Sequence, residues 1–270
     1  EIASCLVGSE MCIRDSRINQ AVLFALILRE MRTRLGDRRM GVFWVLFEPA
    51  AQVALMIYIF SAFRGGTLLG MDYPIYLLMG MIPFFLIRNI ALGIMESVGA
   101  NQGLFAYPNI KPFDTFVARL VVECAISSCV FILMLAVLGW FFGYHVQIAK
   151  PMQWFAWLVV GVILAFALGI VLCVVVKHFP NSKIFIRMSF MVVYILSGIL
   201  YPIWVLPPDI FKLLKFNPFF HIVDGLREAG ISHYPITAGI SFQYPLSISL
   251  ILLFLAMALY RSQRRELISI

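Results

Sequence analysis

Four ionisable side chains lie within or at the edge of long apolar stretches, where a charge is costly unless it is paired or hydrated. They are Glu48, Arg88, Arg119 and Glu123. Arg119 and Glu123 are four residues apart, so they can form an ion pair along one helix. Glu48 and Arg88 could pair between two helices. Such charges either fix the register of a helix bundle or line a hydrophilic pathway, and we favour the structural role because pairs near helix ends often only hold bundles together.

Aromatic residues in the same apolar stretches are a second source of chemistry, because their ring faces could carry a sugar polymer by stacking. The candidates within or near predicted spans are Tyr58, Tyr76, Phe84, Phe85, Tyr194 and Tyr201. The alternative, that each ring faces lipid or a neighbouring helix, is the more common situation in membrane interiors.

The composition identifies the elements that position these side chains. The chain has 270 residues, of which 62% are apolar and 13% charged, which excludes a soluble globule, a disordered chain and a disulfide-rich secreted domain. A bilayer core about 30 Å thick requires roughly 20 helical residues to cross it. The sequence therefore predicts an all-α polytopic membrane protein, whose domain covers 41–265, with six transmembrane helices at about 43–63, 74–96, 118–142, 154–176, 186–206 and 242–260.

The basic residues are distributed unequally between the two sides of these predicted spans. Fifteen of the 21 Lys and Arg residues fall on the side that carries both termini, five fall on the other side, and Arg88 lies in a span. By the positive-inside rule both termini are predicted to be cytoplasmic, including the tail at 266–270. The net charge of +7 is thus an orientation signal, and no nucleic-acid partner is predicted.

Residues 17–40 precede the first span and predict an amphipathic helix. Apolar residues, among them Phe24 and Met31, recur at helical spacing beside basic ones. Such a helix lies in the inner membrane surface, and the alternative is a soluble helix that packs on a partner. Its polar candidates for an interface are Arg29, Glu30, Arg32 and Arg34.

Two connecting segments carry apolar residues outside the bilayer. The cytoplasmic loop 96–115 is bounded by glycines and prolines, and its Leu104, Phe105 and Tyr107 need a surface that buries them. A partner protein and the inner surface of the chain itself are equally good candidates. The outer segment 207–243 predicts two short helices, one at 209–216 and one that Asn217 caps and that extends to about Ala229. Each is too short to span, so both are predicted to be re-entrant or interfacial.

No sequence motif predicts an enzyme. None of the six lysines follows a glycine, so a phosphate-binding loop for ATP cannot be formed. The four histidines are scattered, without metal-ligand spacing. We therefore expect no catalytic residues, no metal and no cofactor bound by this chain.

Residues 1–16 differ in character from the rest of the chain. They contain no sustained apolar run and no features of a signal peptide. The stretch looks like a translated sequencing adapter, and we expect it to be a non-native leader.

Four sequence runs together resemble a known family. They are ALILREMRTRLGDRRMGVFWVLFEPAAQ (25–52), LLMGMIPFFLIRNI (77–90), NQGLFAYPNIKPFDTFVARLVVE (101–123) and FNPFFHIVDGLREA (216–229). The chain resembles the membrane (permease) subunit of ABC transporters that export capsular polysaccharide across the bacterial inner membrane, in the type-two ABC permease group. The resemblance covers about 17–267, and only the first 16 residues depart from the pattern.

The resemblance implies a homodimer with two separate cytoplasmic subunits, which bind and hydrolyse ATP with Mg. A lipid-linked polysaccharide would pass between the two permease copies towards periplasmic or outer-membrane export proteins. The N-terminal helix resembles the family's interface helix. The residues that fall in its coupling helix are Asn101, Gln102, Gly103, Leu104, Phe105 and Tyr107. The two outer helices resemble its gate helices, with candidates Phe211, Phe219, Phe220, Arg227 and Glu228.

Other functions remain open at this point. The same architecture exports O-antigen, teichoic acid or drugs in related transporters. An ion-coupled secondary transporter would also use carboxylates inside the membrane, although it would usually show internal repeats, and none is evident between the first and last three spans. A membrane enzyme acting on lipid-linked sugars is disfavoured by the absence of a carboxylate or histidine cluster in the sequence.

Overall fold

The structure is a computed structural model that describes residues 19–34, 41–64, 67–68, 71–107, 110–144, 146–202, 207–232, 234–235 and 239–268. Almost all of these residues are helical, which confirms the all-α class. Residues 1–16, predicted to be a non-native leader, and residues 35–40 lie outside the described residues. The helices are α1 (19–34), α2 (Gly41–Arg64), α3 (Tyr73–Ala100), α4 (Pro112–Phe142), α5 (Pro151–His178), α6 (Ser182–Leu196), α7 (Pro208–Leu214), α8 (Pro218–Gly230) and α9 (Gln243–Ile268). A 3₁₀ helix (Gln102–Ala106) follows α3.

A short hairpin that the sequence did not predict joins α2 to α3. Its strands are β1 (Thr67–Leu68) and β2 (Met71–Asp72), which pair antiparallel with Thr67 opposite Asp72. Each strand has only two residues, too few for the alternating apolar pattern that reveals a strand in a sequence.

Five helices among the described residues are long and apolar enough to cross a membrane. They are α2, α3, α4, α5 and α9, and they coincide with five of the six predicted spans. The predicted span 186–206 is different, because α6 ends at Leu196 after 15 residues, about 22 Å of helix. Gly198 then takes a left-handed conformation with φ of 68° and turns the chain.

Helix α3 is the centre of the molecule. It is apolar almost throughout and buried on nearly all sides, because it packs against α5, α4, α8 and α2, while α5 also packs against α9. Two glycines of α5 allow the close approach of α3. A Cβ atom on Gly161 would lie 2.8 Å from Ile87 Cδ1, and one on Gly169 would lie 2.8 Å from Ile94 Cβ. Small residues permit this packing in membranes, where tight van der Waals contact replaces the hydrophobic effect.

Helices α2 and α6 carry large apolar side chains that the single chain leaves exposed. Those of α2 are Phe43, Trp44, Phe47, Leu55 and Tyr58. Those of α6 are Ile184, Phe185, Met188, Met191, Val192 and Ile195. Such faces are stable only against lipid or another apolar protein surface.

Helix α8 confirms the predicted cap. The side chain of Asn217 accepts a hydrogen bond from the backbone N–H of Phe219 at 3.0 Å, and Pro218 lies in the first turn. The helix is buried along nearly its whole length against α5 and α3. Of the two predicted placements of this helix, burial among the spans fits the re-entrant one.

The packing of α8 on α5 predicts the effect of one substitution. A Cβ atom on Gly225 would overlap the ring of Trp157, so Gly225→Ala forces the two helices apart. We expect a loss of about 1–3 kcal/mol of stability, measured as a lower thermal unfolding midpoint of the purified protein in detergent. Gly99→Ala is the matched control, because nothing lies within 4 Å of its Cβ position. Equal midpoints for the two variants would contradict this packing.

Candidate functional site

A cavity of about 740 Å³ lies between α2, α3, α4 and α6, and Arg34 of α1 also contributes to its wall. Its charged lining consists of Arg34, Arg88, Glu96, Arg119, Glu123 and Arg187. Three of the four ionisable residues singled out in the sequence therefore meet at one place. Within the described ranges, no group of three His, Cys, Asp or Glu residues could hold a metal ion.

Four charges connect α1 to α4. Arg34 Nη2 lies 2.5 Å from Glu123 Oε1, and Arg119 Nε lies 3.0 Å from Glu30 Oε1. Glu30 also contacts Arg34 Nε at 3.4 Å. Arg119 and Glu123 thus each pair with α1, and the ion pair predicted between them along α4 was wrong. The reason is that α1 presents a carboxylate and a guanidinium one turn apart, so Arg119 and Glu123 each find an opposite charge across the helix contact.

The environment of Arg34 stabilises its charged form. Burial by itself lowers the pKa of this guanidinium, but the hydrogen bond and charge of Glu123, with those of Glu30, outweigh it and raise the pKa above its usual value. Glu30 and Glu123 are both buried. Buried ions that keep close partners hold two helices in one register, because separating them would leave charges uncompensated.

A second contact joins α1 to the predicted coupling segment. Arg29 Nη1 donates a hydrogen bond to Asn101 Oδ1 at 2.6 Å, and Asn101 Nδ2 donates to the carbonyl of Ser97 at 2.8 Å. Asn101 is therefore buried and fixes the end of α3. Arg32 is exposed.

The 3₁₀ helix after Asn101 presents a mixed surface. Gln102 and Gly103 are exposed, Leu104 is half-buried, and Phe105 is half-buried against the core. Tyr107 is 63% exposed. The segment thus folds partly onto the chain itself and leaves the ring of Tyr107 uncovered.

Arg88 differs from the other arginines of the cavity. Arg187 forms an ion pair with Glu96 and so connects α6 to α3. Arg88 instead donates to Asn89 Oδ1 at 3.4 Å and lies over the ring of Phe85, 5.2 Å from its centroid. The possible pair with Glu48 is not formed, because Glu48 is exposed on α2. Among the described residues, Arg88 forms no ion pair with a carboxylate.

Two of the six candidate aromatic residues lie on the cavity wall. Phe85 and Tyr194 stack with their ring centroids 5.8 Å apart and an angle of 15° between the planes. Tyr76 and Phe84 are completely buried in the core. Tyr58 is exposed on α2, and Tyr201 donates its hydroxyl hydrogen to the carbonyl of Ile195.

Arg227 of α8 is completely buried and compensates the break after α6. Its Nη1 donates to the carbonyl of Gly198 at 2.8 Å, and its Nη2 donates to that of Ile199 at 2.7 Å. Nη1 also donates to Tyr76 Oη at 2.8 Å, and the guanidinium lies 3.8 Å from the centroid of that ring. Carbonyls beyond a helix end lack helical partners, so this arginine supplies donors that the backbone cannot. Sequence reasoning placed Arg227 in an outer gate and missed this role.

The other candidate residues of the outer helices are buried or half-buried. Phe219 and Phe220 belong to the core, Phe211 contacts Phe220 edge to face with centroids 6.0 Å apart, and Glu228 is half-buried. The carboxylate of Asp224 accepts a hydrogen bond from Tyr234.

Known proteins are similar to this chain over most of its length. The family model described as ABC-2 type transporter matches residues 21–230. The polysialic acid transport protein KpsM of Escherichia coli is 32% identical over 252 residues, 93% of this chain and 97% of that protein. The capsule polysaccharide export inner-membrane protein CtrC of Neisseria meningitidis serogroup A is 29% identical, covering 89% and 90%. The similarly named BexB of Haemophilus influenzae is 26% identical, covering 93% and 95%.

We expect removal of the buried guanidinium of Arg227 to lower the stability of the protein strongly. Arg227→Met leaves the carbonyl of Ile199 without the donor that Arg227 supplies, and leaves the carbonyl of Gly198 with only the 3.5 Å contact of the Tyr76 hydroxyl. The loss of a donor to a buried carbonyl costs about 1–3 kcal/mol. We expect a markedly lower thermal midpoint in detergent. Lys212→Met is the control, since its ammonium is exposed and its ion-pair partner among the described residues is the exposed Asp209. A midpoint equal to that of the control would show that Arg227 does not support the end of α6.

Proposed function

This chain belongs to the ABC-2 type transporter family, and on that premise we propose that it is the permease subunit of an ATP-driven exporter of lipid-linked capsular polysaccharide. The observation that carries the proposal is the similarity along nearly the whole chain to proteins named for capsule polysaccharide export and polysialic acid transport. The membrane is the bacterial inner membrane, with both termini cytoplasmic. The bias of basic residues toward one side supports this orientation.

We propose that the charged cavity is part of the export route. Its guanidinium, carboxylate and amide groups offer hydrogen bonds in place of the water that a sugar loses when it enters an apolar region. The cavity lies between α2 and α6, whose exposed apolar faces need cover. A second copy of the chain on these faces would complete the wall, so the active permease is a homodimer.

ATP hydrolysis belongs to a separate subunit in this proposal, because the chain has no lysine that follows glycine and thus no phosphate-binding loop. The segment 101–107 is the contact for that subunit. Force applied there reaches α3 through Asn101 and reaches α1 through Arg29. From α1, the ion pairs of Glu30 and Arg34 continue to α4 at the cavity wall.

Export of another cargo, such as O-antigen, teichoic acid or a drug, would use the same architecture. Finding capsule glycosyltransferase genes beside the gene for this chain, together with one for an outer-membrane export partner, would favour capsule as the cargo. An ion-coupled transporter would keep working after loss of the ATPase subunit, so deletion of that subunit separates the two mechanisms.

The exposed ring of Tyr107 gives a test of the ATPase contact. Tyr107→Asp places a charge where an apolar partner surface should lie, so we expect weaker co-purification of the ATPase subunit and at least tenfold less capsule on cells. The thermal midpoint should stay unchanged because the side chain is 63% exposed. Phe105 is less suitable, because its ring packs on the core.

The matched control for this experiment is Phe216→Asp. Phe216 is 76% exposed and follows α7, in the segment predicted to lie on the outer side. It should leave co-purification of the ATPase subunit unchanged. If Tyr107→Asp retains the ATPase subunit and exports as the unsubstituted protein does, the coupling assignment is wrong.

A further inference from the structure

Two opposite charges in the spans form no ion pair within the part of the chain that the structure describes. They are Arg88 of α3 and Glu48 of α2. Arg88 is half-buried on the cavity wall, whereas Glu48 is exposed on the single chain. A charge in apolar surroundings is costly unless a counter-charge or water reaches it.

The two charges lie at similar depths from the inner membrane surface. Glu48 is five residues from Phe43, where the α2 span begins, which is about 7.5 Å of helix. Arg88 is eight residues from Glu96, the inner end of the predicted span 74–96, which is about 12 Å of helix. The two depths differ by about 4.5 Å on this scale, so side chains as long as those of Glu and Arg can bridge the difference.

Glu48 lies on a face of α2 that the described chain leaves uncovered. Gln52, one turn further along α2, is exposed and lines the cavity. Trp44, one turn before Glu48, is 59% exposed. Residues four apart share one side of a helix, so Glu48 borders the open side of the cavity. Lipid hydrocarbon offers no counter-charge to a carboxylate there.

The carboxylates of the cavity wall are already engaged and cannot serve Arg88. Arg34 binds Glu123, and Arg187 binds Glu96. The negative charge that Arg88 needs must therefore come from outside the chain. A transported anion would supply it only while the cargo is present and would leave Glu48 uncompensated. One permanent contact between Glu48 and Arg88 of different copies would compensate both charges.

We propose that in the homodimer Glu48 of each copy enters the cavity of the other copy and pairs with its Arg88. The inference rests on the proposed function, in which a second copy covers α2 and α6. A two-fold axis repeats every contact, so the dimer contains two such pairs. The cavity of about 740 Å³ has room for the carboxylate. The charged site is thus incomplete in one chain and is completed by a residue of the other.

The first test is a double-mutant cycle on dimer recovery. Two copies with different affinity tags are expressed with the ATPase subunit, one tag is captured, and the amount of the other is measured. Glu48→Gln and Arg88→Gln add no charge to the membrane, so both chains should fold. Each should lower recovery of the second copy at least tenfold, because the remaining partner is left as an uncompensated charge.

The double Gln variant should recover at least as much of the second copy as either single variant, because no lone charge remains. Asp209→Asn is the control, since this carboxylate is 92% exposed on α7. It should leave recovery unchanged. Losses that multiply in the double variant, or single Gln variants that behave as the control does, would overturn the proposal.

The second test shows whether the pair joins two copies or lies within one. Glu48→Lys and Arg88→Glu are placed on separate chains. Either homodimer then brings like charges together. In the mixed dimer, one contact joins the two introduced residues and the other joins the native Glu48 and Arg88.

We expect either charge-reversal variant alone to lose at least tenfold in dimer recovery. Co-expression of the two should restore recovery to within about twofold of that of the unsubstituted pair. A contact inside one chain would leave like charges together in every mixture, so the absence of rescue between folded chains would overturn the assignment. The cycle of Gln variants decides the question independently if a charge-reversed chain does not fold.

The unsubstituted chain separates this inference from the proposed function. If its two tags do not co-purify, the homodimer of the proposed function is wrong, and the inference falls with it. If they co-purify and the cells carry capsule, but the charge variants behave as the control does, only the inference is wrong. Rescue of the dimer without ATP-dependent capsule export would uphold the pair and overturn only the function.

Discussion

A charge surrounded by apolar groups must be compensated, and this constraint organises the structure. The chain places guanidinium groups in α3, α4 and α8, all of which pack into the apolar bundle. Each is compensated differently. Arg119 pairs with a carboxylate of α1, Arg227 binds backbone carbonyls and a tyrosine, and Arg88 contacts an amide oxygen and a phenylalanine ring and forms no ion pair among the described residues. The first arrangement joins helices, the second supports a broken helix, and the third leaves a charge for a second copy to compensate.

The compensation of the α4 charges has a mechanical consequence. Because Glu30 and Arg34 pair with Arg119 and Glu123, α1 cannot move independently of α4 without exposing buried charge. The contact of Arg29 with Asn101 extends the same unit to the end of α3. An ATPase subunit that pushed on segment 101–107 would therefore displace the helices that line the cavity, in line with the proposed coupling.

Local signals in the sequence were sufficient to predict much of this fold. Apolar length gave five spans that match helices, and the Asn217–Pro218 pair gave the start of α8, because both depend on residues close in the chain. The partners of Arg119 and Arg227 could not be predicted in this way, because they are distant in the sequence. Glu30 precedes Arg119 by 89 residues, and Gly198 and Ile199 precede Arg227 by 29 and 28 residues. Spacing along α4 favoured Arg119–Glu123, but tertiary packing offered each a better partner. The end of α6 at Leu196 could not be predicted from the length of the apolar stretch, because the buried turn that follows is as apolar as a helix.

The Arg34–Glu123 pair holds α1 on α4, and a double-mutant cycle measures how strongly it does so. Hydrogen exchange of the backbone amides of 19–34 would be measured in the unsubstituted chain, Arg34→Gln, Glu123→Gln and the double variant. We expect faster exchange in each single variant and little further change in the double variant, with a coupling energy of about 1–3 kcal/mol. Additive effects of the two substitutions, or exchange that neither changes, would contradict it.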